Sequence, residues 1–199
     1  MKRTQFFFII LSVLVFFACA GSGNSTQTEK TDSTDATAVA EAPSTLTVLV
    51  DTIPSPKKEL KTTMSGADIT IVYGSPSVKE RTIWGELVPY GEVWRTGANE
   101  ATTFETSAPI SIGGQTLAAG KYGFFTVPDE NDWTLIFNEV SDQWGAYNYD
   151  AGKDVMRVKV VPRASSEKSE TMDFAVEGAN TIIITWDMLE VPFNVEAGS

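Results

Sequence analysis

Short stretches of alternating apolar and polar residues fill the chain beyond residue 65 and predict β-strands. At 69–73, 155–161 and 172–176 every second side chain is apolar, which is the period of a strand with one buried face. Gly113-Gly114 separates two further stretches and predicts a tight hairpin. The other strand-like segments are 101–106, 110–112, 115–117, 122–127, 133–137, 182–186 and 191–195.

About nine short strands separated by turns predict an all-β fold. Such spacing is typical of an antiparallel β-sandwich or barrel, and we expect a sandwich of the jelly-roll or immunoglobulin-like type. The sequence shows no sustained helical period, and the one plausible helical turn is at 82–88. Residues 54–199 are long enough to enclose one hydrophobic core, so we predict a single domain there.

The amino terminus has the pattern of an export signal. After the basic residues Lys2 and Arg3, residues 6–17 contain only one polar side chain, that of Ser12. At helical rise this run spans about 18 Å, which is too short for a hydrocarbon core of about 30 Å. We therefore predict a signal peptide at 1–18 rather than a transmembrane helix.

Cys19 follows this run directly, and the order of residues 18–22 resembles the lipobox of bacterial lipoproteins. The resemblance implies a diacylglycerol thioether on Cys19 and cleavage before it, although Phe16 and Phe17 stand where that family usually has Leu and a small residue. Cys19 is the only cysteine of the chain and has no intramolecular disulfide partner, which is consistent with lipidation. The alternative is a secreted protein that is cleaved nearby and in which Cys19 is incidental.

Acyl chains on Cys19 would anchor the protein to a membrane. The residue after it is Ala20, where Asp retains enterobacterial lipoproteins in the inner membrane, so we expect the outer membrane, facing the periplasm. Residues 19–53 are rich in Ser, Thr and acidic side chains and predict a flexible tether. The apolar island at 46–50 is either an edge strand or a sticky part of that tether.

Composition excludes several classes of function. With no histidine and one cysteine, the chain offers neither Ser-His-Asp nor Cys-His catalysis, and no ordinary His- or Cys-ligated metal site. No glycine-rich phosphate loop is present in the sequence. The formal net charge of −11 makes nucleic acid an unfavourable partner. We therefore expect no catalytic residue, no metal and no cofactor.

Residues 75–100 differ from the rest of the chain because they are dense in Trp, Tyr, Gly and charged residues. Long loops in compact domains are commonly functional. Together with later segments, this stretch resembles an exported bacterial family known as domain of unknown function 2911. The residues that carry the resemblance are 75–104, 117–128, 133–138 and 143–147. The resemblance covers roughly residues 54–195. It implies a lipoprotein or secreted β domain and transfers no catalytic residue.

The first use of this segment that we consider is ligand binding. Three aromatic rings would form a stacking platform, since flat rings suit the apolar faces of sugars, and three polar side chains would supply directional hydrogen bonds. The chain would then be a non-catalytic binding module for a glycan, a peptide or a protein. The candidate residues are Trp94, Arg95, Asn99, Glu100, Trp144 and Tyr147.

Enzymatic activity is an alternative. A carboxylate-based hydrolase of envelope or imported polysaccharide would use two of Glu86, Glu92 and Glu100, held about 5–10 Å apart. The sequence does not fix that separation, and it contains no recognised catalytic motif.

A structural role in envelope assembly is the third alternative. Trp84 and Trp94 would then plug the ends of the sandwich, and Arg81 or Arg95 would pair with a nearby glutamate to pin the loop. Exposure of the rings of Trp144 and Tyr147 would favour binding, whereas their burial would favour this structural role.

Overall fold

A computed structural model describes residues 40–198 of the protein. The predicted signal peptide, Cys19 and the larger part of the predicted tether lie outside the described residues. Those residues form twelve strands and one 3-10 turn, which confirms the predicted all-β class. The 3-10 turn is at Ala151–Lys153 and not at 82–88. The strands are β1 Ser44–Val50, β2 Lys57–Met64, β3 Ala67–Gly74, β4 Thr102–Thr106, β5 Ile110–Ile112, β6 Gln115–Leu117, β7 Gly120–Val127, β8 Trp133–Asn138, β9 Asp154–Val160, β10 Arg163–Glu177, β11 Thr181–Asn194 and β12 Glu196–Ala197.

Seven strands form one antiparallel sheet in the order β1-β2-β3-β4-β7-β8-β9. A long hairpin of β10 and β11 and a small sheet in the order β12-β5-β6 complete the fold. The hairpin packs on the large sheet, because the ring of Phe174 on β10 lies 4.8 Å from that of Tyr73 on β3 and 6.0 Å from that of Phe124 on β7. Two layers of antiparallel strands therefore enclose the core, as in the predicted sandwich.

The alternating segments direct their apolar side chains into this core. On β3, Ile69, Ile71 and Tyr73 are buried, whereas Thr70 and Val72 between them are only partly buried. Aromatic rings fill the middle of the core; Phe104 and Phe137, for example, meet edge to face at 5.2 Å. Burying each such side chain stabilises the fold by roughly 1.5–3 kcal/mol.

Strand β1 lies at the edge of the large sheet and pairs with β2, so that Leu46 faces Leu60. All residues of β1 are exposed. Of the two alternatives for 46–50, the structure therefore has the edge strand. The large sheet begins at Ser44, inside the region assigned to the tether and before the predicted domain boundary at 54.

Strand β2 has no counterpart among the predicted strands. Half of its residues are Lys or Glu, which hides the alternation of Leu60, Thr62 and Met64, the residues it buries. The buried hydroxyl of Thr62 donates to the carbonyl of Pro43 at 2.8 Å, so this polar group remains paired. The hydrogen-bonded position of β2 between β1 and β3, rather than its composition, defines it as a strand.

On the outer face of β7 and β8, Phe125 and Ile136 form a second, smaller apolar cluster with Ala101, which ends the connection between β3 and β4. Two long connections cover this cluster, the one between β3 and β4 and the one between β8 and β9. The connections contribute Val93, Ala146 and Tyr149, and Val127 at the end of β7 packs against the same cluster. The two connections therefore lie side by side on the outside of the large sheet.

Candidate functional site

The connection between β3 and β4, residues 75–101, is called the long loop here. Its first residues are fixed to β10 by backbone hydrogen bonds. Val78 N donates to Glu170 O at 2.7 Å, and Met172 N donates to Pro76 O at 2.9 Å. The hydroxyl of Ser75 adds a buried bond of 2.7 Å to Met172 O. The beginning of the long loop thus lies on the hairpin layer.

The last part of the long loop is fixed to the other layer. Trp94 and Thr126 of β7 exchange two backbone hydrogen bonds of 2.7 and 2.9 Å. Thr96 is fully buried, and its carbonyl accepts a bond of 2.7 Å from the hydroxyl of Thr102. The long loop therefore bridges the two layers, and its backbone is held at both ends.

Four tryptophans pack together where the long loop crosses. Trp94 stacks on Trp186 at 5.8 Å with an angle of 15° between the rings. Trp84 meets Trp133 edge to face at 5.0 Å and Trp186 at 5.7 Å. Trp84 and Trp94 are thus partly buried packing residues, as in the structural alternative, and Trp94 is not part of an open platform.

The ion pairs of the structural alternative are not formed among residues 40–198. Arg81 donates to backbone carbonyls instead, from Nε to Val78 at 3.0 Å and from Nη2 to Ser77 at 2.5 Å. Glu100 pairs with Lys57, whose Nζ lies 3.5 Å from Oε1. Arg95 has no carboxylate within ion-pair distance among the described residues.

The guanidinium of Arg95 is partly buried, and its Nε is fully buried without a hydrogen-bond partner among the described residues. This burial lowers the pKa of Arg95 below its ordinary value, and the nearby Tyr147 hydroxyl opposes the shift. An arginine nevertheless remains protonated under physiological conditions. The loop therefore holds a positive charge whose hydrogen-bonding capacity is largely unused.

Residues 139–150, called the second loop here, meet the long loop through the backbone. Gly145 N donates to Asn99 O at 3.0 Å, and Ala101 N donates to Gln143 O at 3.0 Å. Gly145 has a φ of +64°, a conformation that glycine adopts without strain. The segments 75–100 and 143–149, which together contain the six candidate binding residues, therefore meet in the structure.

Two aromatic rings of the second loop face solvent. The exposed fraction is 59% for Trp144 and 84% for Tyr147. A Cβ built on Gly145 would lie 3.1 Å from the ring of Tyr147 and 4.0 Å from Cδ of Arg95. The ring of Tyr147 and the stem of Arg95 therefore both border Gly145. By the criterion given above, exposure of these rings favours a binding role over a purely structural one.

Two cavities adjoin the junction of the loops. The first, called the arginine cavity, has a volume of about 300 Å³. The second, called the mixed-charge cavity, has a volume of about 380 Å³. The arginine cavity is lined mainly by Ser55, Arg81, Trp94, Arg95, Asn99 and Trp186. The mixed-charge cavity is lined mainly by Lys57, Tyr73, Glu100, Lys121, Asp142 and Gln143.

The sequence comparison with protein families finds one match, a family described as "Protein of unknown function (DUF2911)", over residues 55–195. The chain belongs to this family. The match confirms the family resemblance and covers both loops of the DUF2911 domain. Neither a curated protein nor a solved structure matches the chain. Family membership therefore supplies no activity, and the chemistry of the domain has to be derived from its geometry.

The DUF2911 domain distributes the six candidate residues over three places. Trp94, Arg95 and Asn99 line the arginine cavity, whereas Glu100 lines the mixed-charge cavity. Trp144 and Tyr147 line neither and form the exposed surface beside Arg95. The backbone brings these three places together, but they are not a single pocket.

Sequence reasoning missed Trp186 and assigned Arg81 to loop pinning alone, although both line the arginine cavity. No local pattern could have placed Trp186 there, because it belongs to β11 and reaches the long loop only through the packing of the two layers. Asp142 and Lys121 line the mixed-charge cavity, and both are distant in sequence from Glu100. Within residues 40–198 there is no group of three or more side chains suited to hold a metal ion, and no helix with the length and apolarity to span a bilayer.

Proposed function

We propose that this protein is an envelope lipoprotein whose DUF2911 domain binds a ligand without catalysing a reaction. The ligand would contact the surface formed by the long loop and the second loop. The observation that carries the proposal is Arg95, a partly buried cation with unused donors, next to the exposed rings of Trp144 and Tyr147. Exposed aromatic rings beside a charged donor are typical of recognition surfaces.

Membrane attachment is the second part of this proposal. Its support is the apolar run at 6–17 followed by the single cysteine, Cys19. The tether that precedes Ser44 would hold the domain away from the bilayer, with the outer membrane as the expected location and the periplasm as the compartment.

Alanine substitutions of the exposed rings test the binding proposal. In Trp144→Ala and Tyr147→Ala we expect weakened binding and a free energy of unfolding within about 0.5 kcal/mol of wild type, because both side chains are exposed. Binding would be followed by tryptophan fluorescence with full-length protein in a non-ionic detergent, titrated with cell-wall fragments, oligosaccharides and peptides. Val161→Ala is the matched control, since this exposed apolar residue lies outside both loops.

A flat fluorescence response to every compound, together with no protein cross-linked through the second loop, would contradict the binding proposal. Equal weakening by Val161→Ala would place the binding surface elsewhere.

A carboxylate-based hydrolase is the second candidate, and one observation favours it. Glu100 and Asp142 line the same mixed-charge cavity. Two observations count against a hydrolase. Glu86 and Glu92 line neither cavity. Glu100 is about half exposed and forms an ion pair with Lys57, whose Nζ lies 3.5 Å from its carboxylate. Release of reducing sugar from polysaccharide by wild type but not by Glu100→Gln would support this candidate and remove the non-catalytic one.

A further inference from the structure

The arginine cavity concentrates positive charge in a strongly acidic protein. Arg81 and Arg95 both line it, and no carboxylate of the described part of the chain does, although the chain has a formal net charge of −11. Acidic side chains outnumber basic ones by 26 to 15, so their absence from this lining is a local departure from the composition. A cavity with two cations and no counter-charge attracts an anion.

Two buried donors that belong to residues lining the cavity lack acceptors among residues 40–198. Nε of Arg95 is buried and unpaired among the described residues, and so is Nε1 of Trp186, which also lines the cavity. Arg81 uses Nε and Nη2 on backbone carbonyls, which leaves Nη1 available. Burying unpaired donors costs free energy, and an oxygen ligand that accepts from them offsets that cost.

From this geometry, and on the basis of the proposed binding function, we infer that the arginine cavity binds an anionic oxygen group of an acidic saccharide. A carboxylate, sulfate or phosphate presents the several acceptor lone pairs that guanidinium groups bind in a fork geometry. The body of the sugar would extend from the cavity towards Tyr147, whose ring borders Arg95 across Gly145.

A saccharide fits the surroundings better than an extended peptide does. Peptides commonly add a strand to a free backbone edge. Here the backbone groups at the loop junction already pair with each other, as in Gly145 N to Asn99 O at 3.0 Å and Ala101 N to Gln143 O at 3.0 Å. A cavity of about 300 Å³ has room for one sugar residue rather than a chain segment, and the exposed rings offer flat faces.

Matched pairs of ligands test this inference. Trigalacturonate is compared with its carboxyl-reduced form, galactotriose, and glucose 6-phosphate and glucose 6-sulfate are compared with glucose, using full-length protein in a non-ionic detergent. We expect at least one acidic member to bind about 10-fold or more tightly than its neutral partner. In ¹⁵N-labelled protein the indole N–H signal of Trp186 should shift with that ligand, because Trp186 is one of the residues that line the cavity.

Variants that remove one positive charge show which residues cause the preference for the acidic ligand. Arg95→Gln and Arg81→Gln should each remove most of the preference for the acidic member. Arg163→Gln removes the same charge from a surface residue that pairs with Glu177 and Glu190 and lines neither cavity, so it should keep the preference. Thermal unfolding of each variant verifies that it is folded.

The outcomes distinguish the inference about an acidic saccharide from the proposed binding function on which it rests. Equal affinity for acidic and neutral members, or a preference that Arg163→Gln removes as fully as Arg95→Gln, would overturn the inference and leave the binding function in place. Binding of acidic peptides but of no saccharide would also overturn the inference alone. No binding by any saccharide or peptide would overturn the binding function as well.

Discussion

The backbone of Gly74 lies directly against the backbone of Ala98. Ala98 N donates to Gly74 O at 3.1 Å, and a Cβ on Gly74 would overlap the carbonyl oxygen of Ala98. Gly97 approaches from the same side, since its own Cβ would lie 2.8 Å from Gly74 O. The end of β3 therefore holds the part of the long loop that carries Arg95 and Asn99.

Gly74→Ala should loosen this contact. The added methyl group meets backbone rather than a movable side chain, so we expect a loss of about 1–3 kcal/mol in the free energy of unfolding, together with weaker ligand binding. Urea denaturation measures the first effect. Gly152→Ala is the control, because its methyl group would meet only the side chain of Asp150; we expect a change below about 1 kcal/mol. Equal stability of the two variants would contradict the proposed role of Gly74.

Arg95→Met should leave stability unchanged or raise the free energy of unfolding by about 1 kcal/mol, because it removes a partly buried cation that has no partner among the described residues. Lys58→Met is the comparison, since Lys58 Nζ lies 2.6 Å from Oδ1 of Asp173 and its loss leaves that carboxylate without its cation. We expect a loss of about 1–3 kcal/mol there. Denaturant titration measures the free energy of unfolding of both variants. Destabilisation by Arg95→Met as large as that by Lys58→Met would indicate that Arg95 is structural.

Tyr73 makes stability depend on pH in the alkaline range. Its hydroxyl is buried between the layers, donates to Oδ1 of Asp173 at 2.9 Å and accepts from Phe174 N at 3.2 Å. Burial, reinforced by the charge of Asp173, raises the pKa of Tyr73 well above its ordinary value. A raised folded-state pKa contributes stability that is complete below the unfolded-state pKa of about 10 and is lost as pH rises above it, by up to about 1.4 kcal/mol per pH unit.

Tyr73→Phe should therefore cost about 1–3 kcal/mol at pH 8 and distinctly less at pH 11, because the variant has no phenol to ionise. Urea denaturation at the two pH values gives the difference. Tyr147→Phe, whose side chain is 84% exposed, should match wild type at pH 8. A cost of Tyr73→Phe that stays constant from pH 8 to pH 11 would show that Tyr73 does not control the alkaline slope.

Cys19→Ser should abolish labelling with radioactive palmitate and release the protein from membranes into the soluble fraction. The reason is that serine has no thiol to form the thioether, and without acyl chains no strong membrane affinity remains. Ser25→Ala should keep both label and membrane association. Mature protein with an unmodified thiol, detected by mass spectrometry, would rule out the lipid anchor.

Much of the β-structure follows from the alternation of side chains. Ile69, Ile71 and Tyr73 mark β3 because a strand turns successive side chains to opposite faces, and the same rule marks β9 and β10. The rule fails for β2, where Lys and Glu occupy half of the positions. It leaves β1 ambiguous, because that strand buries neither face and its sequence shows only that it is apolar.

The candidate site was predictable in part. Residue type and position in the sequence selected six candidates, and the structure places three of them, Trp94, Arg95 and Asn99, along one cavity. The sequence could not show that Arg95 lacks a partner among residues 40–198, because that depends on which strands bring a carboxylate near it. Nor could it bring in Trp186, which reaches the cavity from the second layer.

The sequence by itself determined the strand period and the family, because both depend on residues that are near one another in the chain. It also excluded histidine chemistry, because residues of one type can be counted. Only the tertiary structure decided which charges are paired. None of the carboxylates close to Arg95 in sequence lies within ion-pair distance of it, and Glu100 pairs with Lys57 instead. Ion pairing depends on distance and burial, and the packing of the two layers sets both.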